Sequence, residues 1–198
     1  MAGIILTGGK SIRMGQDKAT MLFEGRPLLD TIAERLASVE SLVYVVADTE
    51  DRYHPAGTFL RADALPDAGP AGGLFTGLLA AGEGVHLVVA CDQPFLNPAL
   101  LSFLKDSLTE SLSRGESAVA LVPEIGGRLE PLHAAYSDLA LGPLRKAMRD
   151  GERSLQKLLR SLSIRTIREE ELRTRDPDLL SFTNWNTPEE RLPFALTE

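Results

Sequence analysis

Nearly continuous apolar runs alternate with helical patterns along this chain. The runs at 85–91 (VHLVVAC) and 117–123 (SAVALVP) are apolar at almost every position, which is typical of strands buried on both faces of a parallel sheet. Two further strand candidates are 2–7 (AGIILT) and 42–47 (LVYVVA). Because helical patterns separate these runs, the sequence predicts a mostly parallel sheet with right-handed crossovers and helices on both faces.

Helix signals fill the intervals between the strands. Pro27 opens an apolar stripe that continues to position 36, and Asn97 is a natural N-cap before a leucine stripe that Gly115 can end. Further helices are predicted over 71–82, 143–150 and 155–162. The segment 61–73 (RADALPDAGPAGG) is the most loop-like part of the chain.

Composition narrows the class of protein. The 198 residues, 43% of them hydrophobic and 25% charged, suit a single globular domain over 1–198. The sequence contains no run of 18 apolar residues, so no membrane-spanning helix is predicted. The net charge of −7 disfavours nucleic acid as the main partner. The single cysteine, Cys91, excludes an internal disulfide and is expected in the core, which fits a reducing cytoplasm.

A glycine loop follows the first strand. Leu6, Thr7, Gly8 and Gly9 lead into the segment 10–18, which carries the cations Lys10, Arg13 and Lys18. Adjacent glycines can turn backbone N–H groups toward a bound group, and the cations suit a polyphosphate. The spacing matches neither the P-loop nor the dinucleotide-binding fingerprint. A surface turn with solvated charges is the alternative.

Carboxylates follow other strands of the predicted sheet. Asp92 comes directly after the run at 85–91, where it could hold Mg²⁺ together with substrate phosphates or merely cap the next turn. Asp63 precedes the glycine-rich run 69–73, which permits close approach of a ligand. Since ligands of open α/β sheets bind at the carboxyl ends of strands, the metal interpretation is favoured when Asp92 and the glycine loop are considered together.

Two other kinds of site find little support. The histidines His54, His86 and His133 lack metal-ligand spacing, so zinc is not expected. The sequence contains no G-x-S-x-G motif, so a serine hydrolase is not indicated.

Near the C-terminus, Asn184 and Asn186 could bind a polar ligand through their amides, and a helix is predicted to start at 187.

The stretch LTGGKSIRMGQDKA resembles the signature loop of the GT-A-like nucleotidyltransferases, and its Asp-Lys ending is similar to that of the molybdenum cofactor guanylyltransferases. Four further stretches fit that family in order: Asp63 followed by GPAGGL, then VVACDQPFL, EPLHAAY and FTNWNTPEE. The resemblance extends over almost the whole chain. It implies a three-layer α/β/α fold of the nucleotide-diphospho-sugar transferase type, which is Rossmann-like.

The resemblance also implies a reaction and a set of roles. The terminal phosphate of molybdopterin, with or without molybdenum, would attack Mg²⁺-bound GTP and release pyrophosphate. By this resemblance, the nucleotide would be surrounded by Leu6, Thr7, Gly8 and Gly9, with Asp63 at the nucleoside. Arg13 would contact the pyrophosphate and Lys18 the transferred phosphoryl group. The metal would be held by Asp92, and the pterin substrate would be bound by Asn184 and Asn186. Molybdenum-insertion proteins and molybdoenzyme chaperones are the implied protein partners.

Two positions depart from the family pattern. Alanine is common where this chain has Thr7, and an asparagine often stands near the base where this chain has Asp48. A carboxylate at Asp48 could accept both donors on the pairing edge of guanine, so Asp48 is predicted to bind the base. Two alternatives stay open: a CTP-dependent cytidylyltransferase acting on a pterin or on a sugar or alcohol phosphate, and a non-catalytic nucleotide-binding protein.

Overall fold

The computed structural model describes residues 1–7, 20–65 and 68–185. The strands in these residues are β1 (Gly3–Leu6), β2 (Leu22–Phe23), β3 (Arg26–Pro27), β4 (Val43–Ala47), β5 (Phe59–Ala62), β6 (Val85–Ala90), β7 (Ala120–Ile125), β8 (Arg128–Leu129), β9 (His133–Ser137) and β10 (Ile164–Arg168). The helices are α1 (Leu28–Ala37), α2 (Pro70–Ala81), α3 (Pro98–Ser113), α4 (Leu141–Arg149), α5 (Leu155–Arg160) and α6 (Glu169–Leu172).

One mixed sheet forms the centre of the molecule. Its strands lie in the order β10-β7-β9-β6-β1-β4-β5, with β8 paired to β7, while β2 and β3 form a separate hairpin. Strand β1 pairs in parallel with both β4 and β6, and β9 is inserted antiparallel between β6 and β7. The predicted mostly parallel sheet is therefore confirmed, with β9 and the short β8 as its antiparallel members among the described strands.

Alternate residues of the central strands pack against two different helix layers. Ile5 and Val89 belong to a core cluster that includes residues of α1 and α3, whereas Ile4 and Val88 belong to a second cluster with residues of α2, α4 and α5. Side chains of a strand alternate between faces, so a strand that is apolar at every position must be covered on both sides. The predicted three-layer α/β/α architecture follows from this arrangement.

The four predicted strands are present, and so are the five helices predicted within the described residues, with ends shifted by a few residues. The helix predicted to start at 187 lies outside the described residues. The caps of α3 are as predicted, since the Asn97 side chain accepts hydrogen bonds from the N–H groups of Ala99 and Leu100, and Gly115 follows the helix with a φ of 77°. Cys91 is buried in the core, as predicted. Within the described residues no helix is long and apolar enough to cross a bilayer.

The prediction that 61–73 is a loop is wrong at both ends. Its first two residues complete β5, and its last four begin α2. The glycines and Pro70 that suggested a loop instead form the first turn of a helix, because proline suits that position and the small residues allow the helix to approach its neighbours closely. The connection between β5 and α2 is only seven residues long.

Helix α2 lies against the central strand through glycine. A Cβ atom added at Gly77 would overlap with Cγ2 of Ile4, a fully buried residue of β1. The close approach of α2 to β1 therefore requires a residue without a side chain at position 77.

We expect Gly77→Ala to lower the free energy of unfolding by about 1–3 kcal/mol, because the added methyl group overpacks the core against Ile4. Gly142→Ala is the matched control, since a Cβ at this helical glycine of α4 meets no atom within 4 Å; helix propensity should make that variant neutral or slightly more stable. Urea titration of both variants measures the difference. An equally stable Gly77→Ala variant would contradict the packing argument.

Candidate functional site at the carboxyl edge of the sheet

Four of the predicted site residues lie at one edge of the sheet. Thr7 follows β1, Asp48 follows β4 and Asp63 follows β5, while Asp92 is the second residue after β6. Strands β5, β4, β1 and β6 are adjacent and parallel, so their carboxyl ends meet along this edge. Open α/β sheets bind their ligands in this position.

Thr7 is anchored to the neighbouring strand. Its backbone N–H and its hydroxyl both donate to the carbonyl oxygen of Val46, at 2.9 Å and 3.0 Å. The carbonyl of Leu6 in turn accepts from the N–H of Cys91 at 3.2 Å. Thr7 differs by its hydroxyl from the alanine common in the family, and this hydroxyl has its hydrogen-bond acceptor within the sheet. The backbone of Thr7 is therefore held in place at the start of the glycine loop.

The carboxylate of Asp63 is held by the helix that follows it. Its Oδ1 accepts from the hydroxyl of Thr76 and from the N–H of Leu65, each at 2.9 Å. The same Thr76 hydroxyl accepts from the N–H of Ala64 at 3.0 Å. A Cβ at Gly72 would overlap with the Leu65 carbonyl, so the first turn of α2 can contact this segment only because position 72 is glycine. Asp63 therefore has a fixed orientation, with one oxygen anchored.

The carboxylate of Asp48 is occupied by an arginine. Arg52 donates to Asp48 through Nε at 2.6 Å and through a terminal nitrogen at 2.8 Å, which is a forked pair. The hydrogen bonds from Arg52 keep the pKa of Asp48 below its usual value, so Asp48 is ionised at neutral pH. Asp48 is exposed, and a bound base would have to share its oxygens with Arg52.

The half-buried Asp92 is joined to the C-terminal segment. Its backbone carbonyl accepts from the N–H of Trp185 at 2.6 Å. Asn184, an exposed residue predicted to contact the second substrate, immediately precedes Trp185. The hydrogen bond therefore brings the predicted substrate-binding asparagine and the predicted metal ligand together, although they are far apart in sequence.

Further contacts fasten the C-terminal segment to the loop that follows Asp92. The Asn97 side chain donates to the carbonyl of Arg175 at 2.8 Å, and Ser181 donates to the carbonyl of Phe95 at 3.3 Å. The ring of Trp185 packs edge-on against Phe23, with centroids 5.1 Å apart. Residues from β2, from the loop after β6 and from the C-terminal segment thus form one side of the site.

A buried histidine lies beneath this side of the site. Nδ1 of His133 is hydrogen-bonded to Oε1 of Gln93 at 3.2 Å, and its ring packs against Phe182 at 4.5 Å. Burial lowers the pKa of His133 to about 4, despite the opposing charge of Asp176. His133 Nε2 and Trp185 Nε1 are buried and have no hydrogen-bond partner within the part of the chain that the structure describes.

Sequence reasoning missed the supporting residues of the site. Gln93 and His133 lie inside motifs noted in the sequence, VVACDQPFL and EPLHAAY, but neither motif indicates that the two side chains meet. Thr76 carries no sequence signal at all, because a threonine within an apolar helix is ordinary. Gly8, Gly9, Arg13, Lys18 and Asn186 lie outside the described residues, so their roles stay predictions.

The donor set at this edge fits a magnesium ion bound mainly by substrate. Asp92 is half-buried at this edge and could supply a carboxylate oxygen. Mg²⁺ is typically bound by one or two carboxylates together with phosphates and water. In the described part of the chain no three His, Cys, Asp or Glu side chains form a complete metal cage. Asp92 would therefore hold the ion in company with substrate phosphates.

Comparisons with known proteins identify the class to which this fold and site belong. The family model of the MobA-like NTP transferase domain matches residues 3–167. The chain belongs to this family, and its predicted enzyme class, a nucleotidyltransferase, is confirmed. Nucleotidyltransferases of this kind generally use a divalent metal ion.

Individual relatives narrow the comparison further. The chain is 34% identical over 191 residues to the molybdenum cofactor guanylyltransferase of Desulfosudis oleivorans, covering 96% of this chain and 92% of the relative. The crystal structure of molybdopterin-guanine dinucleotide biosynthesis protein A from Archaeoglobus fulgidus is 28% identical with a TM-score of 0.77, covering 95% and 93% of the two chains. These matches confirm the resemblance to the molybdenum cofactor guanylyltransferases.

The fold is shared more widely than the sequence. The 2-C-methyl-D-erythritol 4-phosphate cytidylyltransferase of Thermus thermophilus has a TM-score of 0.59 at 16% identity, covering 88% of this chain and 96% of its own. At that identity the likeness establishes the common α/β architecture only.

The buried His133 predicts a loss of stability in acid. The unfolded state takes up a proton near pH 6.5 and the folded state only near pH 4, so the free energy of unfolding falls as the pH drops from 6.5 toward 4. Between pH 7 and pH 5 this histidine should contribute about 2 kcal/mol of that fall. We expect His133→Gln to show a correspondingly smaller fall in urea titrations at the two pH values.

His54→Gln is the matched control, because His54 is exposed. It should keep the pH dependence of the unsubstituted chain. An unchanged pH dependence in His133→Gln would show that the folded protein accommodates a protonated histidine at this position.

Proposed function

We propose that this chain transfers GMP from Mg²⁺-bound GTP to the terminal phosphate of molybdopterin, giving the guanine dinucleotide form of the cofactor and pyrophosphate. The observation that carries the proposal is the order of side chains along the sheet edge. Asp63 after β5, Thr7 after β1 and Asp92 after β6 follow one another across adjacent parallel strands. Three strand spacings separate β5 from β6, about 14 Å, which suits an extended nucleoside triphosphate.

This order supports binding of the nucleoside on the β4–β5 side of the edge. The anchored carboxylate of Asp63 would bind the nucleoside through its second oxygen. Asp48 would accept hydrogen bonds from the guanine edge while Arg52 keeps it ionised. A carboxylate beside the base favours guanine, which presents an N–H and an NH₂ donor on its pairing edge.

The phosphates belong at the middle of the edge. Leu6, Thr7, Gly8 and Gly9 would surround them with backbone groups, as in the family resemblance. Arg13 would balance the charge of the departing pyrophosphate and Lys18 that of the transferred phosphoryl group. Asp92 would hold the Mg²⁺, which supplies Lewis acidity to the phosphates when bound.

The second substrate belongs on the β6–β9 side. The hydrogen bond between Trp185 and Asp92 supports this placement, because it carries Asn184 to the metal end of the nucleotide. Asn184 and Asn186 would bind the pterin-bearing molecule. An oxygen of its terminal phosphate attacks the α-phosphorus, and the bond to the oxygen bridging to the β-phosphorus breaks with its electron pair leaving on pyrophosphate. The protein's contribution is in-line positioning and charge stabilisation.

A cytoplasmic location accompanies this proposal, since the lone Cys91 suits a reducing compartment. Molybdenum-insertion proteins and molybdoenzyme chaperones would be the protein partners that deliver the substrate and accept the product.

The test is product formation with molybdopterin, Mg²⁺ and each of GTP, CTP, ATP and UTP in turn. We expect a dinucleotide product and stoichiometric pyrophosphate with GTP alone. A cytosine dinucleotide would identify the chain as a cytidylyltransferase instead. Nucleotide binding in calorimetry without turnover of any nucleotide would indicate a binding protein.

Asp92→Asn should lower the rate of transfer by roughly 100-fold or more, because the neutral amide holds Mg²⁺ poorly and several kcal/mol of charge stabilisation are lost. Asp106→Asn, at an exposed position on α3, is the control and should retain full activity. Thermal midpoints close to that of the unsubstituted chain would show that both variants fold. Normal transfer by Asp92→Asn would disprove its role at the metal.

Thr76→Val should weaken GTP binding about tenfold, because the valine cannot donate to Asp63 or accept from Ala64. Thr76→Ser keeps the hydroxyl and should bind GTP nearly as well as the unsubstituted chain. Calorimetric titration with GTP measures both affinities. Equal losses in the two variants would assign the effect to the missing methyl group and contradict the role of the hydrogen bonds.

A further inference from the structure

A cavity separate from the candidate site lies on the face of the sheet covered by α2 and α4. Its volume is about 520 Å³, within the range of small-molecule sites. Three arginines line it, Arg145 and Arg149 on α4 and Arg153 just before α5. Its apolar lining includes Leu65, Phe75 of α2 and Met148 of α4. Trp185 and His133, which support the acceptor side of the proposed active site, do not line this cavity.

The arginines of this cavity form a basic patch on an acidic protein. The net charge of the chain is −7, yet none of the three arginines makes an ion pair with a described carboxylate, although Lys146 on the same helix pairs with Asp150. Arg153 is held by hydrogen bonds to the carbonyls of Met148 and Glu152, at 2.7 Å and 3.0 Å. Backbone carbonyls therefore position its guanidinium, and the nearby Arg153 is one of the groups that lower the pKa of Glu152.

The cavity also offers a surface for a planar group. The guanidinium of Arg145 lies over the ring of Phe75, 5.4 Å from its centroid. Phe75 and Met148 are each only 7% exposed and so form a fixed apolar wall. Guanidinium groups bind phosphates through paired N–H donors and also stack on flat rings. The combination suits a ligand with a planar ring and one or more phosphates.

We propose that this cavity is a second binding site, specific for an organic phosphate with a planar heterocycle, and that its occupation acts on the nucleotide site. The ring would lie against Phe75 and Met148, and the phosphates would be bound by Arg145, Arg149 and Arg153. A free nucleotide and a phosphorylated pterin both have this chemistry.

The connection to the nucleotide site is a short set of hydrogen bonds. Ala64 and Leu65, which line the cavity, donate their N–H groups to Thr76 and to Asp63. Thr76 donates to the same oxygen of Asp63. A ligand that contacts Ala64 and Leu65 therefore contacts the segment that orients the Asp63 carboxylate. This second part of the inference rests on the proposed role of Asp63 in nucleotide binding; the binding site itself does not.

Calorimetric titration with GDP tests the site. We expect two sites per chain in the unsubstituted protein and in Arg160→Gln, the control at an exposed arginine that does not line the cavity. The double variant Arg145→Gln/Arg149→Gln should bind GDP with unchanged affinity at one site and at least tenfold more weakly at the other. The single variant Arg149→Gln, at an exposed position, should show a smaller loss of affinity at the same site. It provides the test if the double variant does not fold. The proposal would be overturned if no site in any of the four proteins lost affinity on substitution of the arginines.

The same titrations separate the two sources of ligand. Tighter binding of molybdopterin than of GDP at the arginine-dependent site would identify a phosphorylated pterin, and the reverse would identify a nucleotide. Inorganic pyrophosphate should bind that site at least tenfold more weakly than the preferred ligand, because it has no ring. Equal affinity for pyrophosphate would overturn the assignment of an organic ligand.

Coupling is measured as the affinity for GTP at the arginine-independent site, which should change about fivefold when the second site is filled. Failure of the proposed function is distinguishable from failure of this inference. If the chain does not transfer GMP, the arginine-dependent site is still detected by its stoichiometry. If the second site does not exist, GMP transfer is normal and is unaffected in the arginine variants.

Discussion

The parallel pairing of β1 with both of its neighbours is the constraint on which the rest of the structure depends. Leu6 stands opposite Val46 on one side and Ala90 on the other. This register ends the central strands at the same level, so that the residues after them share one edge. The hydrogen bonds of Thr7 and Cys91 continue the ladder beyond the strands. The backbone that enters the glycine loop is therefore fixed against the strand that precedes Asp92.

Each side of that edge is held by a different part of the chain. On the side proposed for the nucleotide, Asp63 is bound to α2 through Thr76 and to its own loop through Leu65. On the side proposed for the acceptor, the C-terminal segment is bound to the loop after β6 through Trp185, Ser181 and Asn97. The two sides use opposite helix layers, since Trp185 packs in the α1–α3 core and Thr76 lies on α2. A change in one layer can thus alter one substrate's contacts without altering the other's.

Polar groups near the site are positioned by burial as well as by hydrogen bonds. His133 is fully buried and uncharged at neutral pH, because burial lowers its pKa to about 4. Its contact with Gln93 connects β9 to the loop that carries Asp92. Glu130, half-buried at the entry to β9, has its pKa raised by the same cause. On the side proposed for the acceptor, the buried His133 is therefore uncharged at neutral pH. The ion pair of Asp48 with Arg52 lies on the side proposed for the nucleotide.

Local periodicity and contiguous motifs such as LTGGKSIRMGQDKA were enough to predict the layers of the fold, the strands β1, β4, β6 and β7, the caps of α3 and the family. The tertiary structure was needed to show that β9 runs antiparallel between β6 and β7, because strand order depends on contacts between segments far apart in sequence. It also showed why the glycines within the helix predicted over 71–82 are compatible with a helix, since Gly72 permits close approach rather than a turn. The contacts of Trp185 with Asp92 and of Thr76 with Asp63 also came only from the tertiary structure, because no spacing in the sequence predicts them.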